Sequence, residues 1–152
     1  MKLHLTYPDG SQQEKTLTDI CSESPYTLLY FYPKDDTPGC TIQAQDFSRL
    51  YKDFCDLGIQ IIGVSKDPHT SHCAFMNKYA IPYPLVSDPD FALHEMFQTV
   101  GIKSMYGKQY RGTIRSTVLL NAQGKTMARR DNVSASGHAE TVLAYRKDHH
   151  HK

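Results

Sequence analysis

Two uninterrupted apolar runs dominate the hydrophobic pattern of this chain. Residues 26–32 read YTLLYFY, and residues 59–65 read IQIIGVS. Runs of this kind, followed by Pro- or Gly-containing turns, are typical of strands that are covered on both faces. The pattern therefore predicts two central strands, around which the other elements are arranged.

Helical spacing follows each of these runs. Behind the first run, apolar positions recur at intervals of three and four residues: Phe47, Leu50, Tyr51 and Phe54. We therefore expect one long helix that starts at Cys40 and is stopped by Gly58, a common residue at helix C-termini. Further helices are predicted over residues 69–80, from 88 to 100, and after Ser136.

The first twenty residues predict an edge hairpin. Leu3 and Leu5 alternate with polar residues, and Asp9-Gly10 is a strong signal for a two-residue hairpin turn. A short helical turn that carries Cys21 is expected to follow. This part of the chain therefore leads into the first central strand from the edge of the sheet.

Weaker patterns complete the prediction. A short strand is expected over residues 85–87, and a second hairpin over 113–121 and 125–130. Residues 101–112 are rich in Gly, Lys and Tyr and are predicted to form a loop.

The order of these elements indicates the fold class. Strands and helices alternate in the first part of the chain, which implies parallel neighbours joined by crossover helices, and the late hairpin adds antiparallel strands. The result is an α/β protein with a central mixed β-sheet flanked by helices and an N-terminal β-hairpin, which resembles the thioredoxin-like fold. No linker marks a second domain, so we expect one domain over residues 1–148. The His-rich tail, 149–152, is either native or artificial and carries no functional argument.

Composition and charge narrow the classes of function. The chain has 152 residues, of which 39% are hydrophobic and 22% charged, and its formal net charge is +1. Such a balance offers no bulk electrostatic attraction to nucleic acid or to an anionic membrane. No apolar run reaches the roughly 18 residues of a membrane span, and the N-terminus has no signal-peptide core. We therefore expect a cytoplasmic protein.

The chain has four cysteines, Cys21, Cys40, Cys55 and Cys73. They are widely spaced and form no Cys-x-x-Cys pair. A secreted disulfide scaffold would be smaller and richer in cysteine. In a reducing compartment, scattered thiols are either buried apolar groups or redox groups.

Cys40 has the most distinctive surroundings of the four. It follows a buried strand and a Pro- and Gly-containing loop, and it begins a helical pattern. The free N–H groups and the dipole at a helix N-terminus stabilise a thiolate, which is the nucleophilic form. Thr37, three residues earlier, is expected to reach Cys40 with its hydroxyl, and Pro33 to shield the thiolate from solvent. On these residues alone, a tight turn with an inert, partly buried cysteine remains open.

The segment YFYPKDDTPGCT resembles the active-site segment of the peroxiredoxins, whose pattern is Pro-x3-Thr/Ser-x2-Cys. Its flanks are most similar to the peroxiredoxin Q group, also called bacterioferritin comigratory proteins. The resemblance extends over nearly the whole domain in the family's order, through residues 30–41, 63–67, 84–88, 103–107 and 115–124.

This resemblance implies roles for four residues. Cys40 matches the peroxidatic cysteine, Thr37 the hydroxyl that orients the peroxide, and Pro33 the shielding proline. Arg115, in an Arg-x-Ser/Thr-apolar segment, matches the catalytic arginine. An arginine is always charged and offers several fixed donors, which suits it to stabilise a thiolate and the charge on a breaking O–O bond.

The implied function is a thiol-dependent peroxidase that reduces hydrogen peroxide and small organic hydroperoxides. The resemblance further implies thioredoxin or a similar dithiol as reductant, no cofactor or metal, and a monomer. Two alternatives stay open: a peroxide sensor with slow turnover, and a one-cysteine peroxidase that uses an external thiol. A thiol–disulfide oxidoreductase is disfavoured because no cysteine follows Cys40 within three residues.

The resolving cysteine is where the chain departs from the family. Gln45 occupies the position at which many members carry a resolving cysteine, and Met76 the position that others use in the next helix. Cys73 lies three residues before Met76, and residues three apart share a helical face. Cys73 is therefore the candidate resolving cysteine, with an uninvolved thiol as the alternative. A bond to Cys40 would require the first turn of its helix to unwind, because disulfide Cα atoms lie within about 7 Å.

The remaining candidates have weaker support. Cys55 is expected near the far end of the first helix, away from Cys40, and Cys21 in a loop of undetermined position. His69 and His72 approach Cys73 in sequence but lack a fourth ligand at zinc-site spacing, so we expect solvated helix residues there. Tyr106 and Tyr110 have two interpretations: they either line the active site or make ordinary packing contacts. Arg129-Arg130 is expected to lie at the solvated end of a strand.

Overall fold

The computed structural model describes residues 1–148, so the predicted His-rich tail, 149–152, lies outside the described residues. Within the described part the chain forms strands and helices in alternation. The strands are β1 (Lys2–Thr6), β2 (Gln12–Thr16), β3 (Tyr26–Phe31), β4 (Ile59–Ser65), β5 (Leu85–Ser87), β6 (Val100–Met105), β7 (Lys108–Thr113), β8 (Ser116–Asn121) and β9 (Thr126–Arg130). The helices are α1 (Leu17–Cys21), α2 (Pro38–Arg49), α3 (Tyr51–Asp56), α4 (His69–Tyr79), α5 (Ala92–Met96) and α6 (His138–Asp148).

Seven of these strands form one mixed sheet in the order β2-β1-β5-β4-β3-β8-β9. The two predicted apolar strands, β3 and β4, lie side by side and parallel, with Leu28 opposite Ile61. On its other side β3 pairs antiparallel with β8, so that Leu28 also faces Leu119. The N-terminal hairpin β1–β2 extends the sheet beyond β5. The predicted mixed sheet, flanking helices and N-terminal hairpin are therefore all present.

Both faces of the central strands are covered, as their continuous apolar sequence predicts. Successive side chains of a strand point to opposite faces, and along β3 Leu28 and Tyr30 pack into one core while Leu29 and Phe31 pack into another. The first core is closed by α2, α3, α4 and α6, and the second by α1 and α5. All four of these β3 side chains are at most 2% exposed.

The predicted long first helix is wrong, because it is divided into α2 and α3. The break lies at Leu50, whose backbone (φ −97°, ψ 5°) is not helical. Ser48 donates its hydroxyl to the Ala44 carbonyl at 2.7 Å in the last turn of α2, a bond that competes with the helix ladder and bends helices. The active-site helix is thus only 12 residues long.

The predicted third helix is also too long. It begins only at Ala92, because Asp88 accepts the backbone N–H groups of Leu93 and His94 and Phe91 adopts a left-handed conformation (φ 59°). It ends at Met96, and Gln98 is again left-handed (φ 57°).

The predicted loop 101–112 is in fact a separate two-stranded hairpin of β6 and β7. Its turn consists of Tyr106 and Gly107, with φ values of 52° and 77°. Two consecutive positive φ values suit a tight hairpin. Because the first turn residue is a tyrosine, the usual Asn-Gly or Asp-Gly signal is missing from the sequence. Consequently the second predicted hairpin starts later than expected, with β8 at Ser116.

No helix among residues 1–148 is long and apolar enough to cross a membrane.

Candidate active site

The loop between β3 and α2 is fixed by a buried polar network around Asp35. Its carboxylate accepts hydrogen bonds from the Tyr32 hydroxyl at 2.6 Å and the Ser71 hydroxyl at 2.8 Å, and it lies 2.7 Å from Nδ1 of His72. The backbone N–H of Asp35 donates to the Asp67 carboxylate at 2.7 Å. Strand, loop and helix α4 are therefore joined at one buried carboxylate.

His72 lies at the centre of this network. Its side chain is fully buried, and its second ring nitrogen, Nε2, lies 3.1 Å from the Val86 carbonyl. Both ring nitrogens are therefore within hydrogen-bond distance of an oxygen. The expectation of a solvated residue was thus wrong for His72, because its helix turns it into the sheet.

Cys40 lies in the first turn of α2, as predicted. Thr37 precedes the helix with an extended backbone (φ −92°, ψ 156°), and Pro38 occupies the first helical position, where its missing N–H costs nothing. The thiol of Cys40 is 1% exposed and packs into the core that includes Tyr30 and Phe47. It is therefore a buried thiol at a helix N-terminus rather than an exposed one.

Arg115 joins this thiol from a different part of the chain, between β7 and β8. Its Nη2 donates to Sγ of Cys40 at 3.4 Å, and its Nη1 donates to Oε1 of Gln43 at 2.6 Å. Gln43 lies one turn after Cys40 on α2 and is fully buried, so it holds the guanidinium over the thiol. Sequence reasoning missed Gln43, although its spacing of three residues from Cys40 places both on one helical face.

Gly39 allows the guanidinium to approach this closely. A Cβ at this position would lie 3.2 Å from Nη2 of Arg115 and 3.5 Å from Cβ of Ala135. The backbone of residue 39 is thus in direct contact with the arginine that touches Cys40.

The Thr37 hydroxyl does not reach Cys40 in this structure. It donates instead to the Lys34 carbonyl at 2.9 Å, within the loop. The Thr37 carbonyl accepts the Thr41 N–H at 2.8 Å, which starts the helix. The expected contact was wrong because the hydroxyl stabilises the loop turn, although its oxygen keeps a free acceptor position. Pro33 lies half-buried at the start of the same loop.

A tyrosine pair supports α2 from the sheet. Tyr30 stacks on Phe47 at 4.7 Å between ring centroids and hydrogen-bonds the hydroxyl of Tyr83 at 2.6 Å. Tyr83 in turn donates to the Ala44 carbonyl of α2 at 3.2 Å. Burial raises the pKa of Tyr30 well above its ordinary value, so this pair remains neutral and serves as a donor chain to the helix.

Cys73 lies on α4 with a half-buried thiol beside a histidine. Its Sγ is 3.3 Å from Nε2 of His69, and Nδ1 of the same ring is 2.7 Å from the Thr6 hydroxyl. The four cysteines are all free thiols. The structure therefore adds a potential base, His69, to the candidate resolving cysteine.

The other cysteines differ from each other in exposure. Cys55 is exposed on α3, whereas Cys21 is fully buried at the end of α1, where burial raises the pKa of its thiol. Cys21 thus belongs to the second core rather than to a loop.

The remaining sequence candidates lie on the surface. Tyr106 is 97% exposed and Tyr110 42% exposed on the β6–β7 hairpin, so neither belongs to the core. Arg129 donates to the Phe97 carbonyl and to Asp131. Among residues 1–148, no three His, Cys, Asp or Glu side chains are grouped so as to hold a metal ion.

Comparison with known proteins places this geometry in a family. The model of the AhpC/TSA family matches residues 2–129. Among curated relatives, peroxiredoxin Bcp of Xanthomonas campestris is 45% identical over 124 residues, which is 82% of this chain and 78% of the relative. Peroxiredoxin Bcp of Bacillus subtilis is 39% identical over 123 residues, covering 81% of this chain and 78% of the relative.

Solved structures agree with the sequence relatives. A structure of Xanthomonas campestris peroxiredoxin Q superimposes with a TM-score of 0.86 at 40% identity, over 99% of this chain and 91% of the other. A variant of peroxiredoxin Q from Xylella fastidiosa gives a TM-score of 0.87 at 35% identity, over 98% and 89%. The predicted thioredoxin-like peroxiredoxin fold is thereby confirmed. The chain belongs to the AhpC/TSA family and, within it, to the peroxiredoxin Q group of thiol peroxidases.

Proposed function

We propose that Cys40 is the peroxidatic cysteine of this thiol peroxidase and that Arg115 activates it. The single observation that carries the proposal is the hydrogen bond of 3.4 Å from Arg115 Nη2 to Cys40 Sγ. A permanently charged donor at this distance stabilises negative charge on the sulfur. The N-terminus of α2 adds its partial positive charge in the same direction.

The chemical step is a two-electron displacement. The Cys40 thiolate attacks the terminal oxygen of a hydroperoxide, the S–O bond forms and the O–O bond breaks. Sulfur is oxidised to sulfenic acid, and the leaving alkoxide or hydroxide takes a proton from solvent to become alcohol or water. Arg115, held by Gln43, stabilises the negative charge that passes from sulfur to the leaving oxygen.

Thr37 and Pro33 complete the proposed site. The Thr37 hydroxyl already donates to the Lys34 carbonyl, so it offers its oxygen as the acceptor for the O–H of a bound hydroperoxide. Pro33 has no N–H and lies half-buried at the start of the loop, where it limits the access of water to the thiolate.

Hydrogen peroxide and small organic hydroperoxides are the proposed substrates. One solved structure similar to this chain, with a TM-score of 0.86, is that of the Xanthomonas campestris bacterioferritin comigratory protein. It concerns the alkyl peroxide reduction activity of that protein. The likeness to that protein is what supports the organic substrates.

Cys73 is proposed as the resolving cysteine, with His69 as its base. His69 Nε2 takes the proton of the Cys73 thiol while its Nδ1–H donates to Thr6. The Cys73 thiolate attacks Cys40 Sγ, the S–S bond forms and the sulfenic hydroxide leaves with the proton as water. Because Cys40 is buried, the first turn of α2 has to unwind for this step. Since α2 and α3 are separate helices, only the 12-residue helix α2 has to change.

A dithiol protein such as thioredoxin is the proposed reductant, because a protein disulfide is reopened most directly by exchange with a second dithiol. We also propose that residues 1–148 act as one domain, as a monomer and in the cytoplasm, and that no cofactor is required. A seven-stranded sheet covered on both faces supports the first point, and the need for reduced thiols supports the compartment.

Mass spectrometry of peptides after one equivalent of peroxide tests this mechanism. The expected product is a Cys40–Cys73 disulfide that thioredoxin reduces. A long-lived Cys40 sulfenic acid without turnover would favour a peroxide sensor, and sustained turnover with a small external thiol alone would favour a one-cysteine peroxidase. Peroxide consumption by a Cys40→Ser variant would overturn the assignment of the peroxidatic residue.

A further inference from the structure

A second concave site lies between α6 and the β8–β9 edge of the sheet. It is a cavity of about 330 Å³, and it shares no residue with the Cys40 site described above. Its floor consists of apolar side chains from four different elements: Leu28, Ile59, Leu119 and Val142. Met127 and Tyr145 line it as well and are 53% and 40% exposed, so the cavity opens to solvent beside them.

The polar part of the lining is cationic. Arg129, Arg130 and Arg146 all line the cavity, and no acidic residue does. Arg129 is committed to Asp131 and to the Phe97 carbonyl. The other two arginines have no carboxylate partner among residues 1–147.

Arg146 is the unusual member of this set. Its residue is only 8% exposed, and its buried Nε has no hydrogen-bond partner among the described residues. The guanidinium lies over the ring of Tyr26, 4.2 Å from the centroid, which stabilises the charge without supplying an acceptor. A buried, unpaired guanidinium N–H is costly, and native structures rarely keep one without a partner. The buried Nε is itself closed to solvent, so an anion in the cavity would bind the terminal nitrogens of the same guanidinium, which are not among the buried atoms without a partner.

Arg130 strengthens the positive potential from the rim. Burial is the main cause that lowers the pKa of neighbouring His138 to about 4, and the charge of Arg130 acts in the same direction. His138 is therefore neutral at physiological pH. His138 faces Thr117, a lining residue, through Nε2 at 2.9 Å. The cavity thus combines two arginines without a carboxylate partner, the uncharged hydroxyl of Thr117 and an apolar floor.

We propose that this cavity binds a small amphipathic anion, with a carboxylate against Arg146 and Arg130 and an aliphatic body on the floor of Leu28, Leu119 and Val142. Its volume lies at the lower end of the range for small-molecule pockets. At about 30 Å³ for each water-sized group, it accommodates roughly eleven non-hydrogen atoms. A medium-chain carboxylate such as octanoate, with about ten, fits this space. The inference is independent of the peroxidase mechanism, because the lining contains no cysteine.

Titration calorimetry of the reduced chain with octanoate tests the proposal. We expect saturable binding of one octanoate, weaker binding of octanol, which has no charge, and no binding of octylammonium, which has the opposite charge. Methyl resonances of Leu119 and Val142 should shift with the same midpoint. Absence of saturable octanoate binding, or equal binding of octylammonium, would overturn the proposal.

Variants separate this site from general surface binding. Arg146→Met keeps the aliphatic stem but removes the charge, and we expect it to weaken octanoate binding at least about tenfold. Arg111→Met, on the distant β6–β7 hairpin, is the matched control and should bind as the unmodified chain does. If Arg146→Met fails to fold, Arg130→Met carries the same test, because the side chain of Arg130 is exposed and makes no hydrogen bond with a described residue. Undiminished binding in both Arg130→Met and Arg146→Met would contradict the proposed carboxylate contact.

Discussion

Arg115 and Cys40 are 75 residues apart in sequence, yet Nη2 of one donates to Sγ of the other at 3.4 Å. The contact depends on two further groups, the Gln43 amide that holds Nη1 and the Cβ-free backbone of Gly39. The predictions below begin with this contact and move outward from it.

Replacing Arg115 by Lys should slow the oxidation of Cys40 by about a hundredfold or more. A lysine keeps the charge but cannot donate to both Cys40 and Gln43 from one planar group, and the loss of one aligned donor typically costs that much. Stopped-flow measurement of the second-order rate with hydrogen peroxide checks this. Arg111→Lys is the matched control, since Arg111 pairs with Glu95 on the surface. An unchanged rate in Arg115→Lys would exclude a role for simultaneous donation to Cys40 and Gln43 from one planar group.

Gly39→Ala should make the protein slower and yet slightly more stable. The new Cβ would press on Nη2 from 3.2 Å, so the guanidinium has to shift by a few tenths of an ångström. We expect a rate about threefold to tenfold lower, while alanine in the first turn of α2 adds up to roughly 0.5 kcal/mol. Peroxide kinetics and urea unfolding on the same sample separate the two effects. A fall in stability parallel to the rate would point to general disruption instead.

His69→Gln should slow disulfide formation without affecting peroxide attack. The variant removes the base beside Cys73 but leaves Cys40 and Arg115 in place. We expect the lifetime of the Cys40 sulfenic acid to rise about tenfold or more. Rapid-quench alkylation and mass spectrometry measure both steps. Cys55→Ser, which removes an exposed thiol on α3, serves as the control and should change neither step.

His72→Phe should destabilise the fold by about 3 kcal/mol or more, because it leaves the Asp35 carboxylate buried without its ring partner. His72→Gln restores one donor and should recover part of the loss. Free energies of unfolding in urea give the comparison. If both variants were as stable as the unmodified chain, the Asp35 network would not be what fixes the loop before Cys40.

The pKa of His138 predicts a pH dependence of stability. Burial, aided by the charge of Arg130, lowers this pKa to about 4 from an ordinary value of 6.5. Between these values the unfolded chain binds more protons than the folded chain, so stability should fall as the pH decreases from about 6.5 to about 4. After solvent screening we expect His138 to contribute roughly 1–2 kcal/mol to that fall.

His138→Gln removes this titration and should flatten the curve in the same window. Unfolding free energies at several pH values measure the slope. A His138→Gln slope equal to that of the unmodified chain would show that His138 is not protonated on unfolding.

The central strands and the position of Cys40 were predictable, because both follow from local patterns. Continuous apolar sequence in β3 and β4 requires cover on two faces, and a Pro-Gly turn before Cys40 starts a helix. The partner Arg115 came from resemblance to a family, since no periodicity links residues so far apart. Its adjacency to Cys40 is a product of β3 pairing with β8.

The polar supports of the site were not predictable from pattern. His72 was expected to be a solvated helix residue, and no pattern assigned a role to Asp35. Only the packing of α4 against β5 and the loop after β3 makes them a buried pair. The break at Leu50 and the hairpin turn at Tyr106 were not predicted, for a related reason. Each depends on a local backbone geometry that several residue types can adopt.

The two outer strands of the sheet determine how copies of this chain can meet. Strand β2 ends the sheet on one side with Glu14 and Lys15, and β9 ends it on the other with Arg129 and Arg130, next to an irregular pairing at Leu119 and Leu120. Edge-to-edge addition of a second β9 would bring like charges together across a twisted ladder, which natural sheets use to prevent aggregation. Concentrated protein should therefore resist growth into extended β-assemblies through the β9 edge.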